Sequence, residues 1–166
     1  MHKELERFFE GQRARQVVAE EMLKDGISVD GDGNLFCGRI ELAPAKVARA
    51  LGVDRRVVSE TGRAIAENEF LFSVFSNLEP RANLSNSAKA LGFDVVEIEA
   101  DPKAPGTVAK VSAVIAKRGL VIRQVIADDP DLFPNPILTV IVDGKLSSRA
   151  VSEIRKLGIA KKVVLK

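Results

Sequence analysis

The sequence predicts an α+β chain of two units, a winged helix-turn-helix domain over residues 1–76 and a ferredoxin-like βαββαβ layer over residues 93–166. Three observations predict it. A length of 166 residues is long for one small module and suits two compact ones. The stretch APAKVARALGVDRRVVSETGRAI, residues 43–65, divides into a helix, a tight turn and a second helix. The second half alternates β-branched runs with amphipathic stretches, the mark of strands and helices packed in layers.

The first element is a helix over residues 2–24, on which Leu5, Phe8, Phe9, Val17, Met22 and Leu23 form an apolar stripe. Gly11 weakens its middle by roughly 1 kcal/mol relative to Ala, and Asp25-Gly26 ends it. Asp30-Gly31-Asp32-Gly33-Asn34 looks at first like a calcium loop. Leu35 stands where such a loop needs its sixth-position glycine, although Glu41 occupies the twelfth position, so the run reads as a turn between short strands.

In residues 43–65, Pro44 near the first turn, Gly52 at the corner and Asp54 as an N-cap set the boundaries of two helices. Small Ala48 lets them approach, and Val47, Leu51, Val53 and Val58 form their shared core. That leaves Arg55, Arg56, Ser59 and Arg63 on the outer side of the second helix. In a DNA-binding module this helix enters the major groove, where Arg pairs with guanine and Ser contacts bases or phosphate. Residues 69–76, in which Phe70, Phe72 and Val74 alternate with Leu71, Ser73 and Phe75, read as a wing or a core strand. Residues 77–92 read as a short connector, helix-compatible from 84 to 91 and stiff enough to couple two units.

The second unit begins with a strand over residues 93–100. A turn at Pro105-Gly106 follows, then a helix carrying Val108, Val111, Val114 and Ile115 at helical spacing and stopped by Gly119. Strands over 121–127 and 137–142, an amphipathic helix over 148–157 and a last strand over 160–165 complete βαββαβ. The succession of strand, Asp101, Pro105-Gly106, helix and Gly119 resembles the opening of an ACT domain, a small-molecule sensing module of amino-acid metabolism. In this chain the Pro-Gly stands further from its Asp than is usual in that family, and residues 128–136 form a long second connection.

With the helix pair before it, the whole chain resembles archaeal and bacterial regulators of amino-acid metabolism in which a helix-turn-helix precedes an ACT module. That resemblance implies copies associating through their sheets as a homodimer or higher homo-oligomer, with a free amino acid lodged between them. It nominates Ala104, Pro105, Gly106 and Thr107 as loop contacts, and Gln124, Ile126 and Asp128 as contacts from strands. Thr107 also reads as a helix cap and Asp128 as a turn former.

Composition narrows the chemistry. His2 is the only histidine and Cys37 the only cysteine, so the sequence offers no His-based triad, no cysteine-rich zinc cluster and no internal disulfide. No catalytic residue, metal or cofactor is expected, and the chain does not read as an enzyme. No apolar run reaches the roughly 18 residues of a membrane helix and the N-terminus is unlike a signal peptide, which predicts a cytoplasmic protein.

Charge favours DNA only locally. Residues 1–84 hold twelve Lys and Arg against fourteen Asp and Glu, whereas residues 43–63 hold five against two. A weakly acidic domain binds DNA feebly as a monomer and needs a dimer to engage half-sites about 34 Å apart. The expected function is an amino-acid-responsive, DNA-binding transcriptional regulator. The alternative is a regulatory subunit that binds an amino acid and docks on a biosynthetic enzyme.

Overall fold

The computed structural model describes residues 3–101 and 104–166. They form an α+β protein with seven α-helices and two antiparallel sheets, divided into two compact units, Met1–Ala82 and Asn83–Lys166.

Unit 1 opens with α1 (Lys3–Phe8) and α2 (Arg13–Asp25) in place of one long helix. Gly11, at φ +74°, breaks the run, since a left-handed residue cannot continue a right-handed helix. His2, where the single helix was expected to begin, lies outside the described residues. Three short strands follow, β1 (Ile27–Val29), β2 (Leu35–Cys37) and β3 (Ile40–Leu42), in the order β1-β2-β3.

The expected turn joins β1 to β2. Asp30 Oδ1 accepts the Asp32 and Asn34 N–H groups at 3.0 and 2.8 Å, and Oδ2 accepts the Asn34 amide at 3.1 Å. These bonds, the Asn34 backbone N–H first, hold the Asp30 carboxyl below its ordinary 3.8. Its charge is thus spent on shaping the turn.

Next come α3 (Pro44–Leu51), residues 52–54 as a tight turn, and α4 (Arg55–Glu67). Asp54 caps α4, accepting the Arg56 N–H at 2.8 Å. Val58 and Ile65 are fully buried in a core shared with Val18, Met22, Leu35 and Phe75, and Val47, Leu51 and Val53 pack against it.

The segment expected to be a wing or strand is a helix, α5 (Glu69–Phe75). Asn68 caps it by accepting the Leu71 N–H at 3.0 Å. Leu71 and Phe75, four apart, go to the core while Phe70 stays exposed. The alternation of large residues therefore reports two faces of a helix, and α5 corrects the winged expectation for this segment.

Unit 2 is β4 (Phe93–Ala100), α6 (Thr107–Ala116), β5 (Val121–Ala127), β6 (Ile137–Asp143), α7 (Ser148–Arg155) and β7 (Ala160–Leu165). Its sheet runs β5-β6-β4-β7, all neighbours antiparallel, which is the ferredoxin-like βαββαβ topology. One face buries Val96, Ile98, Val140 and Val142 against Val111, Ile115, Ala150 and Ile154 of the two helices.

The opposite face buries Val95 and Ile141 under Ala88 and Leu84. Much of the expected connector is thereby part of this unit. Its expected helix is reduced to a single 3-10 turn, Lys89–Leu91. The Leu84 N–H donates to Gln124 Oε1 at 3.1 Å and ties the segment to β5. The other end of the connector belongs to unit 1, where Leu78 packs against the core.

Candidate functional site

Unit 2 has a cavity of about 530 Å³ beside the first turn of α6. Three segments wall it: the end of β4 with Ile98, Ala100 and Asp101, the start of α6 from Gly106 to Ala109, and the β5–β6 connection with Asp128, Pro130 and Pro136. Ile137 and Leu138 at the start of β6 complete it.

The start of α6 presents backbone amides. The first N–H groups of a helix have no acceptor within it, and in α6 the ladder begins only where the Lys110 N–H donates to the Gly106 carbonyl at 3.0 Å. Gly106 stands at the N-cap with φ +78° and has no side chain to cap the amides. The Thr107 hydroxyl is turned back, donating to the Ala104 carbonyl at 3.1 Å. Thr107 therefore closes the loop.

Asp128 sits just past the end of β5. Its N–H donates to the Ile137 carbonyl at 3.1 Å, and its Oδ2 accepts the Ile137 N–H at 3.0 Å. The carboxylate is held at the cavity wall and remains charged, because a backbone hydrogen bond orients it without neutralising it.

Of the residues nominated for ligand contact, Ala104, Gly106, Thr107 and Asp128 border this cavity. Pro105 is exposed beside it and absent from its lining. Gln124 and Ile126 point to the other face of the sheet, since they pair with Ile141 and Thr139 while Ala127 pairs with cavity-lining Leu138. Asp128 escapes this alternation because the strand has ended. Asp101, Val108, Ala109 and Ile137 also line the cavity without having been nominated as contacts. Their position beside Pro105-Gly106 in the sequence, or in the residue after a long loop, is the signal that points to them.

Unit 1 brings its nominated residues together as well. Arg55, Arg56, Ser59 and Arg63 of α4 line a groove of about 420 Å³, facing Ala43, Pro44 and Ala45 at the start of α3. The three arginines are exposed, and the Ser59 hydroxyl donates to the Arg55 carbonyl at 3.3 Å. Glu60, the acidic member of the groove, is paired with Arg15 at 2.8 Å. The groove is therefore a predominantly basic concavity on a unit of low net charge.

Among the described residues, no cluster of three or more His, Cys, Asp or Glu is arranged to hold a metal ion. No helix of the described residues is long and apolar enough to cross a membrane. Cys37 is a free, half-buried thiol.

Comparison with protein-family models and with curated proteins gives no match. Among solved structures, the chain is similar to the regulatory subunit of aspartate kinase from Thermus thermophilus in its ligand-free form, at 22% identity and a TM-score of 0.38. That alignment covers 46% of this chain and 51% of the other, so the chain spans about half the length of that subunit. It is also similar to PH0061, at 15% identity and a TM-score of 0.30, over 93% of this chain and 89% of that one.

Proposed function

We propose that the chain is an amino-acid-responsive, DNA-binding regulator of amino-acid metabolism, with a sensing module of ACT type in unit 2 and a helix-turn-helix in unit 1. The observation that carries the reading is the convergence of Ala104, Gly106, Thr107 and Asp128 on one cavity, where uncapped helix amides lie opposite a fixed carboxylate. A zwitterion matches that pairing of donor and acceptor. The basic groove on α4 supports the DNA half of the proposal, because Arg55, Arg56 and Arg63 all stand on its wall.

In this reading no side chain performs chemistry, and the chain acts by linkage. An amino acid that favours one state of the protein changes its affinity for DNA by no more than its own differential affinity for the two states, typically about 1–3 kcal/mol. A second copy of the chain is the natural partner. The β7 edge of the sheet carries exposed Lys161 and Lys162, a charge pattern that discourages strand addition, whereas the β5 edge exposes Val121 and Val125.

The test is duplex-DNA affinity measured with and without each amino acid. The reading predicts that at least one amino acid shifts the affinity between about fivefold and 150-fold. Identical affinities throughout would remove it. The second reading, a regulatory subunit docked on an enzyme, draws on the exposed, stacked rings of Phe8 and Phe70, 5.7 Å apart on unit 1. An apolar docking surface is much less sensitive to salt than phosphate contacts are, so salt titration separates the two.

A further inference from the structure

The lining of the unit 2 cavity is asymmetric in charge. Asp101 and Asp128 border it, and no Lys, Arg or His stands among its described lining residues. An ordinary α-amino acid brings one ammonium and one carboxylate. The carboxylate has a place at the amides of Thr107, Val108 and Ala109, on a helix start that already favours an anion. The ammonium offsets one of the two negative side chains, and the second remains at the wall of a partly enclosed, largely apolar space. A charge in such surroundings is stabilised by a mobile cation brought close to it.

The apolar part of the wall fits a methylene chain. Ile98, Val108, Ala109 and Leu138 offer aliphatic surface. A ligand that fills the space, satisfies the helix amides and neutralises both carboxylates therefore has a carboxylate at one end, a short aliphatic stem, and two ammonium groups. An acidic amino acid would instead bring a second negative group towards two carboxylates, which selects against it.

We infer that the unit 2 cavity is selective for a diamino acid, of the chemical class of lysine and ornithine, with Asp128 as a specificity-determining residue. The inference rests on the reading of this cavity as the amino-acid site and specifies its ligand class. Asp128 is the sharper probe of the two acids because its orientation is set by the Ile137 N–H. Asp128→Asn keeps an oxygen to accept that N–H and removes only the charge.

The experiment is calorimetric titration, with thermal unfolding alongside, of the full chain with lysine, ornithine, norleucine and glutamate. Norleucine copies the lysine stem without the terminal ammonium. Lysine and ornithine are expected to bind at least about tenfold more tightly than norleucine, the size of a charge-assisted hydrogen bond, with no binding of glutamate. In Asp128→Asn, whose own melting temperature reports its folding, the ratio of lysine to norleucine affinity is expected to fall towards one. Equal affinity for norleucine and lysine, preference for glutamate, or an unchanged ratio in the variant would overturn the diamino-acid inference while leaving an amino-acid site in place. Binding of none of the four would overturn both.

Discussion

Gly62 lies on α4 where the β1–β2 turn crosses it, and a Cβ there would overlap the Gly33 carbonyl oxygen. Both partners are backbone, so neither yields cheaply. Gly62→Ala is expected to destabilise unit 1 by about 1–3 kcal/mol, read from urea unfolding. Gly106 is the opposite case. No atom lies within 4 Å of a Cβ built on it, yet its φ is +78°, so Gly106→Ala carries only the left-handed backbone penalty, about 1 kcal/mol.

Asp94 is 7% exposed and accepts from Lys145 Nζ at 2.7 Å and from the Leu146 N–H at 2.8 Å. Asp94→Ala strands the Leu146 N–H and is expected to cost about 1–3 kcal/mol in unfolding experiments. The Arg118 guanidinium, 2.7 Å from Glu153, holds that carboxyl below its ordinary 4.5 by hydrogen bonding. A depressed folded-state value means that the pair adds stability above about pH 4.5 and loses it as pH falls through the lower folded value. In Glu153→Gln the acid limb of the stability-against-pH profile should become shallower below that pH.

At the scale of elements, caps and breaks decide where helices lie. Asp54→Ala removes the acceptor for the Arg56 N–H at the start of α4 and is expected to cost about 1 kcal/mol, measured by thermal unfolding. The β-branched runs of unit 2 and the turn at Pro105-Gly106 are legible because strand propensity and a helix-start glycine are local properties. Residues 69–76 mislead because one stretch of alternating large residues satisfies a strand's period and, over two turns, a helix's as well. Asn68 resolves the ambiguity, since an N-cap makes sense only for a helix. The edges of the unit 2 sheet differ in the same local terms. If copies pair through β5, Val125→Lys should lower the dimer fraction in sedimentation, whereas a change at Lys162 should leave it unaltered.

At the scale of the whole molecule, two independent cores allow each unit to respond on its own. A ligand at a hundredfold over its dissociation constant stabilises the state it binds by about 2.7 kcal/mol. If the cavity beside α6 is the site, the unfolding of unit 2 should shift with ligand in full, and that of unit 1 only to the extent that the two are coupled.

The sequence alone determined the order of elements in unit 2, the two helices and tight turn of unit 1, and the placing of Arg55, Arg56, Ser59 and Arg63 along one helix. Each follows from periodicity or from residues adjacent in the chain. The tertiary structure alone decided that the loop after β4 and the connection after β5 enclose one cavity, bringing Asp101 and Asp128 to its wall. It also turned Gln124 and Ile126 to the far face, where the segment before β4 ties onto Gln124. The physical reason is that enclosure and facing depend on the order in which strands lie side by side, β5-β6-β4-β7, and long-range pairing of that kind leaves no periodic trace in any single segment.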